Sequence, residues 1–328
     1  MRGTPHQPLP VVRVGEILDT ENAQRWLVEG LWGASAVGVI GGAPKCAKTW
    51  LGLDMALSVA TGTACLGKYA VPEPGPVLVY LAEDALPVVR QRVAGMARHR
   101  GIDLAGVEVH VITAPTLRLD RGPDRTRLQE AAARLRPRLL VLDPLVRLHG
   151  IDENNAGEVA ALLAYFRSLQ RQLDMAVLLV HHARKNAGGG DAAGQGLRGS
   201  SDIHAFGDSN LYLRRTKEHL LLSSEHRAAP ASAPVHLELA ATDATTTHLE
   251  VIAEPGEGKR RGLEERVLDL LTSGVALPRT KLRACLAVQN ERLGEALESL
   301  ERAGQLRRTA AGWQRLDRLP VEGVPVPQ

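Results

Sequence analysis

Aromatic side chains are scarce: 4 Trp, 4 Tyr and 2 Phe, or 3% of 328 residues. The interior must therefore be built from Leu, Val, Ala and Ile. Cysteine is equally thin. Cys46, Cys65 and Cys285 are odd in number and scattered, which excludes a disulfide framework and any recognisable metal spacing. A reducing, cytoplasmic setting fits best. No apolar run approaches a membrane span, and "MRGTPHQPLP" lacks the apolar centre of a signal peptide. No internal repeat is visible. Neither sign of charge dominates: the net charge is +3 and the pI near 8.9, which permits a nucleic-acid partner without arguing for one. What is present is 44% hydrophobic residues, enough for a substantial core in one large domain or two.

The apolar residues come in short runs. They read 36–42 "AVGVIGG", 76–82 "PVLVYLA", 107–112 "VEVHVI", 138–143 "RLLVLD", 175–182 "MAVLLVHH" and 210–215 "NLYLRR". Near-continuous apolarity suits strands buried on both faces. Amphipathic stretches such as 84–101 and 154–173 lie between most of them. The alternation predicts an α/β fold, a mostly parallel twisted sheet with helices on both faces. Residues 219–227, 235–243 and 247–253 predict an antiparallel edge. The predicted organisation is a lead-in over 1–35, a core domain over 36–253, a charged Gly-rich linker over 254–262, a small domain over 263–318 and a disordered tail over 319–328.

"GGAPKCAKT", residues 41–49, is one residue short of a phosphate-binding loop. The pattern G-x-x-x-x-G-K-[ST] is met by Gly42, Lys48 and Thr49, with Ala47 where the second glycine belongs. The nucleotide-binding stretch would run through Gly42, Ala43, Pro44, Lys45, Cys46, Ala47, Lys48, Thr49 and Trp50. A strand precedes it and a helical pattern follows, as the chemistry requires: loop amides and a helix N-terminus hold the phosphates. Lys48 would reach the β- and γ-phosphates, and the Thr49 hydroxyl would ligate Mg²⁺. An alanine at position 47 is harmless at negative φ and strained at positive φ. Taken alone, the motif leaves a bland helix start and an ATP site even. Later strand ends break the tie. Asp143 closes "LLVLD", where a Mg²⁺-associated carboxylate belongs. Glu83 follows "VLVYLA" and would polarise the attacking water, or merely open the next helix. His181 and His182 close a third strand, suited to sensing a γ-phosphate. Sites in open α/β sheets gather at these ends.

At this point the chain resembles a family. "VYLAED", "LLVLDPLVRLHGIDENNAGEV", "VLLVHHARK" and "LRGSSDI" look like the RepA-type, RecA-fold ATPases, whose best-known type is the ring-shaped plasmid replicative helicase. The resemblance covers about residues 26–252. It implies a RecA-like core, ATP bound between subunits of a ring, a hexamer by preference, and single-stranded DNA in the channel. It implies Lys48 and Thr49 at phosphate and Mg²⁺, Glu83 as catalytic carboxylate, Asp143 at the metal and His182 as sensor. The plasmid helicase carries an arginine shortly after "RGSS" that acts on the neighbouring subunit's ATP; "RGSSDIHAFGDSN" has none. Arg227 matches the place where DnaB-type relatives put theirs, and Arg214 is the second choice. A solvated edge residue is the alternative for both.

Residues 184–199 hold six glycines. In RecA-like rings this loop faces DNA, which would make Arg184, Lys185 and Arg198 phosphate contacts; a surface excursion is the alternative. Asp152 to Asn155 would contact a neighbour or nucleotide, or simply cap the next helix. The last domain reads as three helices and a hairpin, a winged-helix pattern. Residues 259–318 carry 13 Lys and Arg against 8 Asp and Glu. The would-be recognition helix nevertheless carries Glu291, Glu295, Glu298 and Glu301, so duplex DNA and a protein contact are equally open. The overall expectation is a Mg²⁺-dependent ATPase acting on single-stranded DNA in plasmid, phage or mobile-element replication. The alternatives are an ATP-switched DNA-binding regulator and a catalytically weak interaction protein.

Overall fold

Four strands that end in Gly42, Asp143, His182 and Arg215 lie side by side in the sheet that carries the candidate site. The computed structural model describes residues 11–16, 26–182, 201–216, 219–243, 245–253, 263–271, 276–286 and 290–316. A short hairpin, β1 (Trp26–Val28) and β2 (Trp32–Gly33), leads into β3 (Val37–Gly42) and α1 (Lys48–Thr61). There follow β4 (Val77–Leu81), α2 (Leu86–His99), β5 (Val109–Val111), α3 (Gly122–Leu135), β6 (Leu139–Asp143), α4 (Ala156–Leu173) and β7 (Ala176–His182). Then come α5 (Ser201–Phe206), β8 (Ser209–Arg215), β9 (Leu220–His226), β10 (Val235–Asp243) and β11 (Thr246–Ile252). These residues fall in the first of two compact units, Met1–Ile252.

Nine strands form one sheet in the order β11-β10-β9-β8-β3-β7-β6-β4-β5. Strands β8 through β5 in that order are parallel, and β9 to β11 continue as an antiparallel edge. Strand β7 stands between the strand that leads into the loop and the strand that ends in Asp143. The alternation of side chains sorts the core into two faces. Ile40, Val79, Val141, Val180, Leu211 and Leu213 pack with α1 and the β1–β2 hairpin. Val39, Tyr80, Leu142, Leu179 and Tyr212 pack with α3, α4 and α5 on the other side.

Helix α1 is buried almost throughout, so its sequence shows no polar stripe. Its one buried acid, Asp54, pairs with Arg100 just past α2 and accepts the Leu66 amide at 2.8 Å. Arg100 also donates to Ser58 and Thr63 at 2.8 and 3.1 Å. Asn155 caps α4, accepting from the amides of Gly157 and Glu158, and Asp152 accepts from Asn154. The "DENN" stretch is thus engaged in helix capping.

Residues 26–35, which composition places in a lead-in, pack into the core: Leu27, Val28 and Trp32 are fully buried, and the indole donates to the Ala36 carbonyl at 3.3 Å. Strands of three and two residues are too short to show periodicity. The linker over 254–262, the tail over 319–328 and the first ten residues lie outside the described residues.

The second unit, Ala253–Gln328, contains α6 (Leu263–Leu270), β12 (Ala276–Leu277), α7 (Arg279–Leu286), α8 (Asn290–Arg302), β13 (Leu306–Thr309) and β14 (Gly312–Arg315). Its strands form a sheet ordered β12-β14-β13. Val267, Leu271, Leu282, Leu286, Leu293, Leu297, Leu300 and Leu306 make its own small core. Among the described residues no helix is long and apolar enough to cross a membrane.

Candidate active site

The loop between β3 and α1 opens on Gly42, and only glycine fits there. A Cβ at that position would stand 2.3 Å from the Leu213 carbonyl and 2.7 Å from Cys46 Sγ. Beyond Ala43 and Pro44 the backbone turns twice into the left-handed region, at Lys45 and at Ala47, each with φ 63°. Ala47 is therefore the strained case that the sequence left open. A side chain there costs about 1 kcal/mol relative to glycine. Cys46 between them is buried. Burial pushes its thiol up, against the pull of Lys48.

Lys48 is folded back into the loop. Its ammonium donates to the carbonyls of Gly42 and Ala43 at 2.9 and 2.8 Å. Burial lowers its proton affinity, and Cys46 and Asp143 raise it. The two carbonyls are placeholders of the kind a phosphate oxygen can replace.

Lys48, Thr49, Glu83, Asp143 and His182 line one cleft of about 290 Å³. Asp143 is the last residue of β6, on the α1 face because Leu139 and Val141 are. His182 likewise closes β7 on that face, while His181 points to the other side and is buried. Asp143 is 7% exposed, and burial raises its carboxyl to about 6. The Thr49 hydroxyl beside it pulls the value down, and Asp84 and Glu83 push it up. Asp143 Oδ2 is buried with no hydrogen-bond partner among the described residues. An orphaned carboxylate oxygen beside a hydroxyl fits Mg²⁺, which takes one or two protein oxygens and fills its shell with phosphate and water. Glu83 is half exposed and accepts from Arg147 Nε at 2.8 Å.

Three features of the cleft escape a motif search. Arg215 lines it and donates to the Lys45 carbonyl at 3.0 Å. The Arg92 guanidinium lies 5.3 Å from the Trp50 ring and pairs with Asp84 at 2.6 Å. Leu239 of β10 forms a wall. Strand alternation was the available signal for Arg215: Leu211, Leu213 and Arg215 share a face of "NLYLRR".

The two arginines considered for a neighbour's ATP are elsewhere. Arg214 is the penultimate residue of β8, on the face of Tyr212 and away from the loop. Arg227 follows β9, whose His226 pairs with Ser209 at the start of β8. It stands at the opposite end of the sheet from the loop, donating to the carbonyls of Ala205 and Phe206. Neither lines the cleft that holds Lys48 and Asp143. Arg184, Lys185 and Arg198 lie outside the described residues.

A family model described as an AAA domain matches residues 4–188, more than half of the chain. The chain belongs to the AAA domain family. It is thereby a P-loop ATPase by family, which agrees with the strand–loop–helix arrangement of the AAA domain described above. Among solved structures it is similar to the crystal structure of the RadB recombinase, at 14% identity over 67% of this chain and 92% of that one, with a TM-score of 0.49.

Proposed function

We propose that this AAA protein is a Mg²⁺-dependent ATPase with a RecA-like core. It would assemble as a RepA-like ring, a hexamer by preference, and act on single-stranded DNA in plasmid, phage or mobile-element replication. The observation that carries the ATPase reading is one cleft holding Lys48, Thr49, Glu83, Asp143 and His182. Lys48 would leave its loop carbonyls for the β- and γ-phosphates. Thr49 and Asp143 would hold Mg²⁺, which neutralises charge developing on the phosphates. Glu83 would orient and deprotonate the attacking water, and His182 would sense the γ-phosphate.

The position of Arg227 is compatible with a role in the neighbouring subunit, since it lies at the far end of its own sheet. Arg214 is the second candidate. Arg184, Lys185 and Arg198 would supply the contacts to the DNA backbone.

The decisive measurement is ATP turnover of the full chain with and without single-stranded DNA, alongside mass by light scattering. Lys48→Ala should abolish nucleotide binding and turnover. Glu83→Gln should bind ATP and turn over at least about 100-fold more slowly. Undiminished turnover in Lys48→Ala protein would overturn the assignment.

One observation favours a second reading. The helix–strand–helix–helix–strand–strand order of the second unit supports a winged helix, with Arg279, Lys281, Arg283, Arg307 and Arg308 exposed. An ATP-switched regulator would use these to grip duplex DNA. Helix α8 exposes Glu295, Glu298 and Glu301, which repel phosphate, so the grip would come from α7 and the hairpin. Protection of one duplex site without strand displacement supports this reading; strand displacement supports the motor.

A further inference from the structure

The end of β8 repeats what the ends of β6 and β7 do. Asp143, His182 and Arg215 are each the last residue of their strands. Each follows a row of side chains packed on the α1 face: Leu139 and Val141, Leu178 and Val180, Leu211 and Leu213. The alternation of a strand therefore aims all three into the same cleft, which all three line. The register places His182 and Arg215 on either side of the loop. Gly42 pairs with His182 of β7 and with Leu213 of β8, and Arg215 is the next residue on Leu213's face.

The charges of the cleft are unequally engaged. Arg92 pairs with Asp84 at 2.6 Å, and Glu83 is paired from outside by Arg147 at 2.8 Å. Lys48 rests on the neutral carbonyls of Gly42 and Ala43. Arg215 does the same on the carbonyl of Lys45, at 3.0 Å, and among the described residues it makes no ion pair. A guanidinium has five N–H donors, and a backbone carbonyl occupies one or two of them. A phosphate oxygen is the stronger acceptor, because both partners then carry charge.

We propose that Arg215 is a phosphate-binding residue of its own subunit, reading the terminal phosphate of ATP from the side of the loop opposite His182. This rests on the ATP-site reading above and goes beyond it. Arg215 serves the site of its own chain, whereas Arg227 and Arg214 are candidates for a neighbour's. Arg215 steadies Lys45 through its carbonyl; with a triphosphate bound it exchanges that carbonyl for the γ-phosphate. ADP offers no such oxygen, so Arg215 favours ATP over ADP.

The test uses the full chain with Mg²⁺ and two probes, a fluorescent ADP and a non-hydrolysable ATP analogue. Arg215→Ala and Arg215→Gln are compared with wild type, and melting temperature is followed in each. Gln keeps a donor for the Lys45 carbonyl but carries no charge. Both variants should bind the ATP analogue about 10- to 100-fold more weakly, the scale of one charge-assisted hydrogen bond, while ADP affinity changes by less than about threefold. Wild-type affinity for the analogue in Arg215→Gln protein would overturn the proposal. So would an equal loss of both nucleotides in Arg215→Ala that Gln restores, since Arg215 would then be only a strut for the loop. Should Arg215→Ala fail to fold, the Gln variant decides alone. If the wild-type chain binds neither probe, or Lys48→Ala binds both normally, the ATP site itself fails, an outcome distinct from failure at Arg215.

Discussion

Ala47 holds a left-handed backbone at the first turn of α1, with no side-chain cap to offset it. Replacement by glycine removes that strain and returns some freedom to the unfolded chain. Ala47→Gly should stabilise the protein by about 0.5–1 kcal/mol, a rise near 2 °C in melting temperature for a domain of this size. It should leave nucleotide affinity intact, as calorimetry and a binding titration would show. "GGAPKCAKT" poses the question of Ala47 but contains no information on φ, which is 63° in the folded loop. Asp143 carries the opposite tension. Its folded carboxyl, near 6, lies above the reference value of 3.8 because burial opposes its charge. A carboxyl shifted upward lowers stability above its folded value, and the loss fades as pH falls from about 6 toward 3.8. A two-unit shift corresponds to about 3 kcal/mol. Asp143→Asn should therefore raise the melting temperature of nucleotide-free protein at pH 7.5 while removing Mg²⁺-dependent turnover. Protons and Mg²⁺ compete for the same oxygens, so the wild-type Mg²⁺ requirement should rise steeply below about pH 6.

Helix α1 shows how far elements can be read from pattern. Its start and its terminal Gly62 are visible in the sequence, as are the strands β3, β4, β6, β7, β8, β9, β10 and β11 to within a residue or two. Buried parallel strands are apolar end to end, and the abrupt arrival of Asp, His or Arg marks where they stop. The β1–β2 hairpin was illegible because two Trp-bearing fragments of three and two residues carry no period. Arg215 was hidden for another reason. "RR" looks like a solvated strand end until neighbours show which of the pair faces the loop. The tie between Asp54 and Arg100 was equally hidden, since 46 residues separate them. Asp54→Ala would strand a largely buried guanidinium and leave the Leu66 amide unpaired. The expected cost is about 3–5 kcal/mol, measured by chemical denaturation. A milder loss would mean that water replaces the carboxylate.

At the scale of the whole chain, each unit has its own hydrophobic core. Residues 1–252 expressed alone should fold and retain nucleotide affinity, and the full chain should show two calorimetric transitions. A single transition, or an insoluble core fragment, would show that the units depend on each other for stability. The family model, ending at residue 188, covers only part of the first unit. The few cysteines are unequally accessible. Cys46 and Cys65 are buried in the first unit and Cys285 is exposed in the second. A thiol reagent should consume Cys285 at once and reach Cys46 only when the phosphate loop lifts away from Gly42. In protein carrying both Cys285→Ser and Cys65→Ala the slow phase of labelling becomes a clock for loop opening, one that bound nucleotide should stop. The cysteine that stands beside the irregular Ala47 thus equips the protein with its own built-in probe.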